Sequence, residues 1–207
     1  APRIFRLRDE VDGFIYDVLF LTQELEKWDL SGYLIGELNG NEFTVKAPFS
    51  RIDHGHDFTR PRTTNFVPGT LSDDERYAEA RIFGLLAETG RGGDPTSQPS
   101  WAAEGWANAL SLPRVVTLAG GQLYQTPAPG LPAAVDATEH AMLWTGMCDI
   151  PAGSEVKVEI VDAADNVCVT ITHSGDQITV DRHDGDPASA SLDDEDEDHI
   201  SVLIDGS

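Results

Sequence analysis

The sequence predicts an all-β chain in two parts: buried strands joined by long loops, as in a propeller, followed by a β-sandwich. Three observations carry this prediction. Strand-length apolar runs bounded by turn residues dominate residues 1–128, long helical periods are scarce, and beyond residue 140 apolar and polar residues alternate strictly. The 207 residues suffice for one large or two small domains with a real core.

Taken in order, residues 14–22, FIYDVLFLT, are almost continuously apolar and read as a buried strand. Residues 32–38, GYLIGEL, form another, joined to EFTV by the turn pair Asn39-Gly40. Ser72, with Glu75 three residues on, has the spacing of a capping box and predicts a short helix. Residues 81–88, RIFGLLAE, are the next strand, and residues 89–100 read as a Gly/Pro/Ser loop. Pro113 suits a strand start, and Gly120-Gly121 predicts a tight reversal between VVTLA and QLYQ.

Residues 129–139 read as a linker, dividing the chain into 1–128 and 140–207. In the second part Val156, Val158 and Ile160 share a face. Val167, Val169 and Ile171 repeat the pattern, as do Ile178 and Val180, and Ile200, Val202 and Ile204 close the series. Successive half-buried antiparallel strands with short polar turns predict the sandwich.

Charge narrows the function classes. There are 36 acidic and 14 basic residues, net −22, and the only lysines are Lys27, Lys46 and Lys157. Nucleic acid is not an expected partner, because its binding depends on Lys and Arg releasing phosphate counterions. A hydrophobic content of 40% and regular strand patterning argue against a disordered acidic chain. Asp in excess of Glu with almost no Lys points to adaptation to high salt, where the Debye length is about 3 Å at 1 M and carboxylates stop repelling one another. No run of 18 apolar residues is present, so no membrane-spanning helix is expected. Cys148 and Cys168 lack zinc-site spacing and read as small buried apolar groups, with a disulfide between them left open.

Two segments, GWANALSLPR (105–114) and LYQTPAP (123–129), together with DHGHDFTRP (53–61) and YLIGELNGNEF (33–43), resemble motifs of glycoside hydrolase family 32, the invertases, fructanases and sucrose-6-phosphate hydrolases. The final DGS is similar to the start of a strand in that family's C-terminal sandwich. The resemblance implies the last blades of a five-bladed propeller followed by an incomplete sandwich. It also implies a retaining cleavage of terminal fructosyl units from sucrose or fructans, with no cofactor and a small carbohydrate as partner.

The family's catalytic carboxylates lie in Asn-Asp-Pro-Asn-Gly, Arg-Asp-Pro and Glu-Cys-Pro-Asp, and none of these occurs here. Ala1-Pro2-Arg3-Ile4-Phe5 is similar to the tail of the third, which would put the acid/base immediately before Ala1. The expectation is therefore an internal fragment, with no catalytic residue of its own and the missing N-terminal propeller segment as a partner. A retaining glycosidase needs two carboxyl groups roughly 5 to 5.5 Å apart, and solvated surface carboxylates do not replace them. Fructosyl transfer would use the same residues. A non-catalytic sugar-binding or structural remnant is the alternative.

Asp57 and Phe58 match the family signature where it is expected to approach the sugar, and are the candidate substrate-binding residues. His54, Thr59, Arg60 and Arg62 depart from it along the expected sugar-facing rim, and IFGLLAE replaces a strand that carries two tryptophans in the family. Trp106 is expected to close the propeller, with stacking on a sugar as the alternative. No metal is expected at His54 and His56, nor at the acidic run 193–198, which lacks EF-hand spacing. Gly90 and Gly93 are not followed by the Lys-Ser/Thr of a phosphate loop.

Overall fold

The computed structural model describes residues 2–25, 29–64, 69–87, 94–192 and 198–205. The Gly90 to Gly93 stretch and the acidic residues Asp193 to Glu197 lie outside them, as do Gly206 and Ser207 of the terminal DGS. The chain divides into two compact units, Ala1–Pro129 and Gly130–Ser207.

The first unit is two antiparallel sheets. One has the order β1 (Arg3–Arg8), β2 (Ile15–Glu24), β3 (Asp29–Asn39), β4 (Glu42–Arg51). The other has the order β5 (Phe58–Thr63), β6 (Ala80–Leu86), β8 (Arg114–Ala119), β9 (Gln122–Pro127), with the short β7 (Ala109–Leu110) also paired to β6. In β2, Val18 and Phe20 are buried on one face and Asp17 on the other, with Leu19 and Leu21 half-buried, whereas Phe14 and Ile15, expected in the buried strand, are exposed at its start. One core of Leu7, Val18, Phe20, Tyr33, Ile35 and Ile52 from the first sheet meets Phe58, Ile82, Val116, Leu118 and Leu123 from the second.

Close approach dictates the glycine at position 32. A Cβ there would lie 2.3 Å from both the Phe49 ring and the Ser50 carbonyl oxygen, so glycine is what lets β4 run this close beside β3. The predicted helix is present as α1 (Asp73–Ala78), with both halves of the Ser72–Glu75 capping box formed. The Gly120-Gly121 reversal is also present, both residues at positive φ (59° and 78°) as a type I′ hairpin requires.

Some expectations are revised. Asn39 pairs with Glu42, so the β3–β4 turn consists of Gly40 and Asn41, one residue later than expected; Gly40 alone has positive φ (65°), the pattern of glycine leading a type II′ turn. The loop at 89–100 contains a 3-10 turn at Pro95–Ser97 and the start of α2 (Pro99–Glu104). The stretch expected to be a linker holds α3 (Leu131–Asp136), with proline in its first turn, where a missing N–H costs nothing.

The second unit contains a four-stranded antiparallel meander, β11 (Val156–Val161), β12 (Val167–His173), β13 (Gln177–Asp181) and β14 (Ala188–Ser191), and a pair formed by β10 (Ala141–Cys148) and β15 (Asp198–Asp205). Ile200 and Val202 are buried as the alternation requires. The cysteines are not buried: Cys168 is exposed, Cys148 is half-buried, and both are free thiols. On β12 the face shared by Val169 and Ile171 excludes Cys168, so the strand's own period places it outside.

Candidate sugar-facing rim

Register puts the starts of β1, β3 and β5 and the end of β2 at one end of the first unit. Arg3 lies opposite Phe20, Thr22 opposite Ser31, and Glu24 opposite Asp29. Ser31 and Asp29 in turn reach β5: the Ser31 hydroxyl donates to Thr59 Oγ1 (3.3 Å), and Thr59 donates to Asp29 Oδ2 (2.8 Å). Thr59 is only 1% exposed, so it belongs to a polar seam between the sheets and not to a solvent-facing rim. The seam continues outward through Arg60, whose guanidinium reaches Glu24 Oε1 at 3.0 Å and Asp29 Oδ2 at 3.7 Å. Arg60 has φ +50°, and the β5–β6 register shifts between Thr59 and Arg62. Left-handed non-glycine residues and bulges of this kind concentrate near functional sites.

The motifs that carried the resemblance meet beside this seam. Arg114, from GWANALSLPR, makes a 2.7 Å ion pair with Asp53, from DHGHDFTRP, with both side chains largely shielded from solvent. The same guanidinium stacks 4.5 Å from the centroid of Phe58 and donates to Gln125 Oε1 (3.2 Å), from LYQTPAP. Gln125 Nε2 donates to the Ile52 carbonyl (2.7 Å), closing the circuit. Tyr33, from YLIGEL, accepts the Leu123 N–H (3.1 Å) in the core. Ser111 holds Gly84 by two bonds: its Oγ accepts the Gly84 N–H (3.0 Å) and its own N–H donates to the Gly84 carbonyl (2.9 Å). Four segments distant in sequence thus form one scaffold under the 53–57 loop.

On that scaffold Phe58 is 7% exposed, its ring covered by Arg114 and by the backbone at Gly84, where a Cβ would come within 2.7 Å of the ring. Asp57 is half-buried at the loop's exit, and its carbonyl accepts the Ala87 N–H (3.0 Å). His54 is exposed; partial desolvation first, and then the Arg51 charge, hold its pKa below the ordinary imidazole value against the pull of Asp53. Among the described residues no group of three His, Cys, Asp or Glu side chains is placed to hold a metal ion.

At the far end of β1, Asp9 is 2% exposed and its carboxylate accepts N–H groups of Val11 (2.8 Å), Gly120 (2.9 Å) and Gly121 (2.7 Å). Burial pushes its pKa up, but the backbone donors outweigh burial and hold the group below the usual carboxylate range. Sequence reasoning missed this clamp and the Asp29–Thr59 seam; the Gly120-Gly121 reversal pointed to half of the first.

The sheets and the scaffold that joins them are those of a β-propeller segment. Residues 1–127 match the model of the glycosyl hydrolases family 32 N-terminal domain, and the chain belongs to that family. Among characterised relatives, the sucrose-6-phosphate hydrolase of Bacillus subtilis is 30% identical over 125 residues, covering 60% of this chain and 22% of that protein. The sucrose-6-phosphate hydrolase of Staphylococcus xylosus is 32% identical over 102 residues, covering 49% and 18%. The chain thus spans about a fifth of the length of these relatives. Among solved structures, the exo-inulinase of Aspergillus awamori superposes over 100% of this chain and 47% of its own, with a TM-score of 0.71 at 15% identity. The sucrose-6-phosphate hydrolase of Lactobacillus gasseri gives 0.67 at 19%, covering 100% and 45%. At these identities the likeness shows the fold alone.

Proposed function

We propose that this chain supplies one wall of the active site of a β-fructofuranosidase-type hydrolase, which removes terminal fructosyl units from sucrose or a fructan by double displacement. The observation that carries the reading is the Asp53–Arg114–Gln125 circuit, which joins the family-matching segments beneath the loop leading to Asp57. In this reading Asp57 accepts hydroxyl hydrogen bonds from the sugar, while Phe58, buried beneath the loop, holds its exit in position. The attacking and proton-donating carboxylates come from the family's three motifs, which residues 1–207 do not contain. The sheets of residues 130–207 serve as part of a sandwich.

The test is a calorimetric titration of the chain with fructose and with sucrose in molar salt. We expect saturable binding without fructose release, weakened about tenfold or more by Asp57→Ala, since a hydrogen bond to a charged acceptor contributes roughly 1.5–3 kcal/mol. Absence of any heat would remove sugar binding from this chain and leave a structural role. The second reading, a non-catalytic sugar-binding module, is favoured by the departures of His54, Arg60 and Arg62 from the family signature. It shares the binding result and differs in giving no hydrolysis when the three motifs are supplied.

A further inference from the structure

The Asp9 clamp borders a cavity of about 240 Å³ that has no part in the sugar-facing rim. It lies at the opposite end of the first unit from Asp57, where the turn joining β8 to β9 meets the first sheet. One wall belongs to that sheet, with Tyr16 on β2, Ile35 on β3, and Lys46 and Ala47 on β4. The other is the β1–β2 connection, with Asp9, Val11 and Asp12, together with the Gly120-Gly121 turn. The turn comes close to the sheet: a Cβ at Gly121 would lie 3.5 Å from that of Ala47.

The polar groups around this space are of both signs. Asp9 is 2% exposed; burial opposes its charge, but the backbone donors outweigh burial, so it is ionised at neutral pH. Asp12 accepts the Phe14 N–H (2.8 Å) with one oxygen and the Tyr16 hydroxyl (2.8 Å) with the other, which leaves acceptor capacity on both. Lys46 supplies the cation. Its pair with Glu37, at 3.2 Å and half-exposed on both sides, contributes little and leaves ammonium hydrogens to spare. Ile35, Ala47 and Val11 add apolar surface.

Volume and charge together select a ligand. The space is below the roughly 300 Å³ at which pockets for drug-sized molecules begin, so it suits a small solute and not a nucleotide. Two carboxylates make a poor metal centre, and among the described residues no third acidic, imidazole or thiol group joins them. A simple anion would meet the two carboxylates, and a simple cation would meet Lys46. A molecule with an ammonium at one end and a carboxylate at the other satisfies both.

We propose that this cavity binds a small zwitterion of the amino-acid class, its ammonium on the Asp9–Asp12 side and its carboxylate on Lys46. Such a molecule touches both the first sheet and the hairpin turn of the second, so it fastens the two sheets at the end away from the rim. The site is independent of the fructosidase reading.

The experiment titrates the whole chain in molar salt with glycine, β-alanine and γ-aminobutyrate, which hold the two charges at increasing separation. Propionate and propylamine, with one charge each, are the controls. Calorimetry gives the affinity, and amide chemical shifts give the location. At least one zwitterion is expected to bind saturably in the millimolar range and to shift the Gly120 and Gly121 amides, with both controls about tenfold weaker. Lys46→Met is expected to weaken that zwitterion to the level of propylamine, and Asp12→Asn to weaken it in the same sense, with circular dichroism confirming that each variant is folded. No saturable binding of any of the three up to about 0.1 M would overturn the proposal. So would binding that leaves the Gly120 and Gly121 amides unshifted, propylamine or propionate binding as tightly as the best zwitterion, or undiminished binding by a folded Lys46→Met variant.

Discussion

Asp9→Ala is expected to lower the unfolding free energy by about 3 kcal/mol, measured by urea denaturation at neutral pH. The carboxylate is buried and accepts three backbone N–H groups, two of them from the hairpin turn that joins β8 to β9. Truncation leaves donors in the interior with no acceptor, and it unties the second sheet from the end of β1. Asp9→Asn, which keeps the shape and one acceptor oxygen, should cost about half as much. The pH dependence follows from the folded-state pKa being lowered. The stabilisation is fully present above the unfolded value near 4 and is lost as pH falls through the lower folded value. Wild-type and Asp9→Asn stabilities should therefore converge in acid; a constant gap down to pH 2 would show that the carboxylate's charge is not what matters.

Transfer from molar to low salt is expected to unfold residues 130–207 first. They hold 18 of the 36 acidic side chains and only 2 of the 14 basic ones, so this unit carries 16 of the 22 net negative charges. Its two cations are already engaged: Lys157 pairs with Glu155 at 2.7 Å and Arg182 lies 3.4 Å from Asp184. Lowering salt from 1 M to 0.01 M lengthens the Debye range from about 3 to about 30 Å, which lets carboxylates repel across the whole unit. Amide-exchange protection in β11 to β13 should disappear over this range while β2 and β3 keep theirs. A far-UV spectrum unchanged from molar salt to tens of millimolar would refute salt adaptation.

What could be read directly from sequence was local. β2 and β3 announce themselves by continuous apolar runs, the Ser72–Glu75 box by its spacing, and the Gly120-Gly121 turn by two residues that tolerate positive φ. The turn after β3 was misplaced by one residue because Asn39-Gly40 and Gly40-Asn41 are both good turn pairs, and strand register decides between them. The short helices α2 and α3 begin in Pro-containing windows, where a helix-start signal and a loop signal look alike.

The site was less readable because its bonds are long-range. Asp9 meets Gly120 across 111 residues and Thr59 meets Asp29 across 30, so no window contains both partners. The Arg114–Asp53 pair joins two motifs known from resemblance, but their contact is a property of the fold. Thr59, expected on the sugar-facing rim, is instead a buried link between the sheets, bonded to Ser31 and Asp29.

The decisive measurement is fructose release by a chimera in which the family's three carboxylate motifs, carried on the N-terminal propeller segment of the Bacillus subtilis relative, precede residues 1–207. The chimera is expected to release fructose from sucrose or its 6-phosphate in molar salt, and to release less after Asp57→Ala. A folded chimera that releases none, while the parent enzyme does under the same conditions, would contradict the hydrolase reading.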